Sequence, residues 1–228
     1  MKTMTNVVVV GAGLAGLMCA YELVSAGKCV TLVYQGDLEH TSSYYAQGGI
    51  AGAWLNDDSV KQHMNDTHLA GAGLCIADVV QHFCESAPDF IQTLIDLGVP
   101  FDQNQDGSFR LTKEGAHSIE RIFHSKDHTG FSIIQTLVST LKSNPNIHWV
   151  NASIEGLIQA RGQSDILGVI VSGQPIYSAA TVLATGGFSN LFSLSTNPKK
   201  NIGEGIALAY MAGAKLADLE FIQFHPTV

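Results

Sequence analysis

Residues 6–20 read NVVVVGAGLAGLMCA, and the order of those letters decides the fold. Four valines after Asn6 form a β-branched run without polar alternation, as in a strand buried on both faces of a parallel sheet. Gly11, Gly13 and Gly16 follow at once in G-x-G-x-x-G spacing. Residues 14–26, LAGLMCAYELVSA, carry apolar residues at helical spacing, and Gly27 stands where a C-terminal cap belongs. A strand, a glycine turn and a helix therefore succeed one another without a spacer. In that context Gly11 permits the tight turn, Gly13 lets backbone approach a pyrophosphate, and Gly16 lets the helix pack on the strand. Ala12, Leu14 and Ala15 supply the backbone between them. The helix start turns its N–H groups and positive dipole end toward the phosphates. The segment reads as a dinucleotide site.

Working outward, CVTLVY at 29–34 is the second strand, completing one βαβ unit. The acidic residue expected at its end to hold a ribose is missing. Gln35 stands there and offers a weaker hydrogen bond than a carboxylate, with Asp37 and Glu39 just beyond as substitutes. Residues 36–57 are rich in Gly, Ser, Thr and Tyr without a clean period, which predicts a long functional loop. Within it lies SSYYAQGGIAG at 42–52. Ser42 and Ser43 are small donors, and Gly48 and Gly49 permit backbone contact with a flat ring or phosphate. Tyr44, Tyr45, Ala46 and Gln47 join the two pairs. A third glycine piece, VLATGG at 182–187, ends a buried strand in Thr185-Gly186-Gly187, where a cofactor would lie at the carboxyl edge of a sheet.

The rest of the chain alternates helix and strand patterns. Helices are expected at 58–71, across ADVVQHFCESAPDFIQTLIDLG as two pieces broken near Pro88, at 129–144 and at 203–214. Residues 101–113 read as an irregular hairpin turning at Asn104–Gly107. A strand at 147–152 precedes short strands over 153–184 that form an antiparallel meander returning to the main sheet. DLEFIQF at 218–224 reads as a terminal strand. The fold class is α/β: a Rossmann-like domain with a parallel central sheet, helices and a small antiparallel meander.

The 228 residues carry a net charge of −8 and 46% hydrophobic residues. That balance argues against nucleic-acid binding and for a sizeable core. The four cysteines lack C-x-x-C spacing and read as reduced thiols of a cytoplasmic protein. No uninterrupted apolar run is long enough to cross a bilayer. His117, Arg121, His124 and His128 have helical spacing but no second ligand group, so no metal site is expected. Arg121 instead reads as steadying local acids such as Glu120 or Asp127.

The glycine turn near residue 11, the AQGG loop, the LATGG strand and the terminal QFHPT occur in the order found in the flavoprotein subunits of fumarate reductases and succinate dehydrogenases, which this chain resembles. Within that family it is most similar to the branch that oxidises L-aspartate. The residues that carry this are YYAQGGIA, DTHLAGAGLC, LTKEGAHSIERIFH, TNP at 196–198, GEGIALA and LEFIQFHPTV. The resemblance implies FAD as cofactor. It also implies oxidation of L-aspartate to iminoaspartate, with oxygen or fumarate as electron acceptor, at the start of de novo NAD biosynthesis. Ser42 occupies the position at which respiratory succinate dehydrogenases carry a histidine bonded to the flavin, so FAD is expected to be non-covalent; His40 is out of register.

By the same resemblance, Glu114 pairs with the substrate ammonium, Gln223 and His225 contact the substrate, and Glu204 lies near the FAD. Asn190 and the backbone near Ile154 are weaker cofactor contacts. The family continues past HPT into a capping domain that carries the proton-transfer arginine. Residues 1–228 are therefore expected to be one incomplete FAD-binding domain with no catalytic residue, little activity alone, and self-association through uncovered surface. Two rival readings are a soluble fumarate reductase or succinate dehydrogenase-type flavoprotein, and a silent nucleotide-binding fragment.

Overall fold

The computed structural model describes residues 6–162 and 164–224. The chain divides into two compact units, Met1–Ser43 with Leu137–Val228, and Tyr44–Thr136.

In the first unit β1 (Asn6–Val10), α1 (Leu14–Ser25) and β2 (Cys29–Tyr34) form the βαβ unit. With β5 (Ile147–Asn151) and β9 (Ala180–Leu183) the strands make a parallel sheet in the order β5-β2-β1-β9. The valine run is buried as its composition requires, with Val8 and Val9 fully enclosed. Gly27 follows α1 at φ +73°, a left-handed turn that suits glycine. The expected meander forms from β6 (Ile154–Gln159), β7 (Ile166–Val171) and β8 (Gln174–Tyr177), all antiparallel. α5 (Glu204–Met211) completes the unit. One face of the parallel sheet, through Val8, Val10 and Val33, packs with Ile154, Val169 and Val171 of the meander and Leu208 of α5. At the carboxyl edge, Gly11 N donates to Val33 O at 2.8 Å and Ala184 N to Val10 O at 2.7 Å. The first and third glycine pieces thus leave neighbouring strands at one edge.

The second unit pairs β3 (Ile50–Ala51) with β4 (Ile122–Phe123). It holds α2 (Val60–Ala70) and α3 (Ala77–Asp96), and the boundary between units falls inside α4 (Thr129–Lys142). Phe123 is fully buried, with the rings of Trp54, Phe101 and Phe109 at 5.3–5.4 Å. The hairpin at 101–113 appears as a bridge between Gln103 and Phe109. The four cysteines are free thiols, Cys84 buried and the others half-buried.

Two expectations fail. α3 is one helix of 20 residues with Pro88 inside it. An interior proline costs about 3 kcal/mol, but Ile91 and Leu94 are fully buried on the same stripe as Val80 and Cys84. Each such aliphatic side chain is worth about 1.5–3 kcal/mol, so packing outweighs the break. Residues 218–224 form no strand. Asp218 adopts φ +59°, Phe221 N closes a turn onto Asp218 O at 3.1 Å, and Phe221 and Phe224 are exposed. A strand needs a hydrogen-bonding neighbour, and none of the described strands pairs with this segment.

Candidate functional site

A cavity of about 500 Å³ opens at the carboxyl edge of the parallel sheet. The first turn contributes Gly11, Ala12, Gly13, Leu14 and Ala15, and the end of β2 contributes Tyr34, Gln35 and Asp37. Ser42 and Ser43 follow, then Ser153 and Ile154, then Thr185 and Gly186, then Lys200, Asn201 and Glu204.

Glycine is required where backbones nearly touch. Gly11 has φ +110°, and a Cβ there would strike the Ala184 carbonyl. A Cβ on Gly16 would strike the carbonyl of Gly11, so the helix starts directly on the turn. Gly16 therefore shapes the cavity from behind, without lining it. At Gly13, by contrast, an added Cβ would meet only Ser43 Oγ, at 3.2 Å, and the residue lines the cavity. Gly13 caps α1 without a side chain, while Leu14 N donates to Ser43 Oγ at 3.1 Å. On the far wall, a Cβ on Gly205 would strike the Thr185 side chain, which seats the first turn of α5, with Glu204, against the end of β9.

The rim is a polar network that spacing did not reveal. Ser42 Oγ donates to Asn197 Oδ1 and accepts from Asn201 Nδ2, both at 2.7 Å. Lys200 Nζ donates to the carbonyls of Gln35 at 2.7 Å and Asp37 at 3.4 Å. Burial pushes the Lys200 ammonium down and Asp37 opposes this. Asn190, half-buried, donates to the carbonyls of Asn197 and Pro198 at 3.1 and 2.6 Å, which engages it inside the rim. The only sequence signal was the polar run NPKKN ahead of the helix.

The loop residues Tyr44–Gly49 belong to the second unit and are absent from the cavity lining, as is Gly187. In that unit Tyr44 stacks edge-on against Tyr45 and Phe131. Ala46 O accepts from Gly130 N at 2.9 Å and Gln47 O from Thr129 Oγ1 at 3.4 Å. Gly49, at φ +111°, lies so close to β4 that a Cβ would meet Ile122 Cγ2 at 2.6 Å. Glu114 Oε2 is 3.9 Å from where a Cβ on Gly48 would stand. Glu114, expected to meet the substrate, and the AQGG loop, expected to meet the cofactor, are thus neighbours.

Arg121 does steady acids, but other ones. Its guanidinium, fully buried, makes two hydrogen bonds to Asp58 at 2.8 and 2.7 Å and one to Asp66 at 2.6 Å. Glu120 and Asp127, one and six positions from Arg121, are exposed and are not its partners; Asp58 and Asp66 lie 63 and 55 residues away, beyond any spacing argument. No cluster of described residues has the composition of a metal site. Gln223 is exposed in irregular backbone, and His225 lies outside the described residues. Among the described residues, no helix is long and apolar enough to cross a membrane.

The glycine cradle, Gly13 in the cavity wall, the helix start and a lining drawn from the ends of β1, β2 and β9 fit a dinucleotide. The family described as FAD binding domain matches residues 6–228. The chain belongs to the FAD binding domain family. As a member of it the chain takes FAD as cofactor. This FAD binding domain is 41% identical to an L-aspartate oxidase of Streptomyces coelicolor over 98% of its own length and 40% of the relative's. It is 38% identical to that of Yersinia pestis, over 98% and 45%. Among solved structures it is similar to an E. coli quinol fumarate reductase FrdA variant, with TM-score 0.92, 29% identity, and 98% and 39% of the two chains covered. A Mycobacterium smegmatis Sdh1 complex has TM-score 0.90, 34% identity, and 97% and 41% covered. The FAD binding domain chain thus spans less than half the length of the curated relatives it matches.

Proposed function

We propose that this chain is the FAD-binding part of a cytoplasmic L-aspartate oxidase that converts L-aspartate to iminoaspartate, the entry to NAD biosynthesis, and binds FAD without a covalent link. The observation that carries this reading is the Glu114 carboxylate beside Gly48. The Glu114 side chain has no hydrogen-bond partner among the described residues. A plain dicarboxylate offers such a group only repulsion, whereas an amino acid brings an ammonium that it can pair with. The relatives named L-aspartate oxidase support the same substrate.

In this reading residues 1–228 act together as one FAD-binding domain. The amides around Gly13 and the start of α1 hold the pyrophosphate, Gln35 serves the ribose, and Thr185, Gly186 and Glu204 border the cofactor. Ser42, tied to Asn197 and Asn201, secures the rim and is not a point of attachment. Gly48 and Gly49 let the backbone lie flat against a ring, and Gln223 and His225 receive the substrate carboxylates. FAD, when bound, supplies the two-electron acceptor for the hydrogen at Cα, with oxygen or fumarate taking the electrons afterwards. Loss of that hydride and of one ammonium proton leaves the protonated imine.

The solved structures named fumarate reductase favour a second reading, a dicarboxylate flavoprotein. The two are separated by titrating FAD-loaded chain with L-aspartate and with succinate while following flavin absorbance. Glu114→Gln is expected to weaken L-aspartate binding about ten- to a hundred-fold, the loss of a charge-assisted bond worth about 1.5–3 kcal/mol, and to leave succinate unchanged. Tighter binding of succinate than of L-aspartate by the unaltered chain would favour the second reading.

A further inference from the structure

The turn that carries Glu114 is built with more care than one carboxylate needs. Residues 112–122 form a loop closed at its base by the antiparallel bridge Thr112–Ile122, with Arg121 N also donating to Thr112 O at 3.2 Å. Its tip is the turn Glu114–His117, in which His117 N donates to Glu114 O at 3.2 Å and Ala116 adopts φ +68°. The loop is fastened to α2. Ser118 N and Oγ both donate to Asp66 Oδ2 at 2.8 Å, and Gln62 Nε2 donates to Ser118 Oγ at 2.7 Å. Arg121 then reaches back under the tip, with Nη1 3.2 Å from His117 Nδ1.

That last contact sets the state of the imidazole. A guanidinium nitrogen can only donate, so His117 Nδ1 must be the bare acceptor and the ring proton must sit on Nε2. A second proton would place N–H against N–H. Burial and Arg121 both push the His117 pKa down; Asp66, Asp58 and Glu114 oppose this without reversing it. The ring of His63 of α2 lies 5.5 Å from that of His117. Nε2 has no hydrogen-bond partner among the described residues, and neither has the Glu114 carboxylate. One short turn therefore presents a charged acceptor and a neutral donor, both unspent.

We propose that Arg121 holds His117 as a neutral Nε2–H donor, and that His117 and Glu114 together read the two charged groups on one amino-acid carbon, carboxylate and ammonium. Glu114 alone accepts any amine. The pair demands a carboxylate beside it. This rests on the function proposed above and gives it a specificity residue, His117, and a positioning residue, Arg121.

The test is nitrogen and carbon NMR of histidine in the full chain with FAD present. The His117 ring is expected as the Nε2–H tautomer, staying neutral to lower pH than an ordinary histidine. L-Aspartate should shift its Nε2 signal. His117→Gln, which keeps a donor, should bind L-aspartate within a few-fold of the unaltered chain, and His117→Phe at least ten-fold more weakly. An Nδ1–H or doubly protonated ring near neutral pH overturns the proposal. So does an Nε2 signal that no dicarboxylate moves, or equal binding by the two variants. Movement by succinate as large as that by L-aspartate leaves His117 in its role and instead removes L-aspartate from the proposed function.

Discussion

At the scale of single residues, the site depends on atoms that are missing. Gly11 works because nothing stands between its Cα and the Ala184 carbonyl, and because φ +110° is open to it. Gly11→Ala must adopt a conformation that costs about 1–2 kcal/mol for an L side chain and must also push β9 away from β1. It is expected to abolish retention of FAD on purification, read as loss of flavin absorbance at equal protein. Asp66 works by the opposite principle, through crowding. Burial pushes its carboxyl up, but hydrogen bonds from the Ser118 amide and hydroxyl and from Arg121 outweigh this and hold it at about 2, below the usual 3.8. A carboxyl with a depressed folded pKa stabilises the fold fully above its unfolded pKa and stops doing so as pH falls through the folded value. Unfolding midpoints should therefore drop between about pH 4 and pH 2. In Asp66→Asn that drop should be shallower, from a neutral-pH stability already lowered by about 1.5–3 kcal/mol, the worth of hydrogen bonds to a charged group.

At the scale of elements, α2 shows how a helix end is used to place a site. Ser59 caps it, its Oγ accepting from Gln62 N at 3.1 Å, and Asp58 immediately before the cap pairs with Arg121. Gln62 in the first turn reaches Ser118. Ser59→Ala removes the cap and should cost about 1 kcal/mol in thermal or denaturant unfolding. Because Asp58 and Gln62 flank that cap, the variant should also weaken L-aspartate binding. α3 teaches a different lesson about local signals. Pro88 marks a break by every neighbour-based rule, yet a stripe at 80, 84, 91 and 94 buried on one side keeps the helix whole. For DLEFIQF the local signal was strand-like and the outcome irregular, since strand propensity gains nothing without a partner edge.

At the scale of the whole molecule, cofactor and fold are linked. A ligand that binds only the folded chain stabilises it by about 2.7 kcal/mol at a hundred times its dissociation constant. For a chain of this size that amounts to a rise in Tm of about 5–10 °C, so calorimetry over increasing FAD should show a rising midpoint. A midpoint that FAD leaves fixed would contradict the cavity's assignment. What the amino-acid order determined by itself was whatever is built from near neighbours. That covers β1, the glycine turn and α1 within 20 residues, the β2 that follows, the meander, and the choice of a dinucleotide at the strand ends. Each of these depends on a period or a turn whose parts lie a few residues apart. Tertiary structure alone decided the partners. Lys200 closes on Gln35 across 165 positions and Arg121 on Asp58 across 63. Glu114 comes to rest beside Gly48, and Pro88 survives inside a helix. The reason is physical: a buried charge or an apolar stripe is satisfied by whatever the packed chain brings within about 4 Å, and no spacing in the linear order specifies that neighbour.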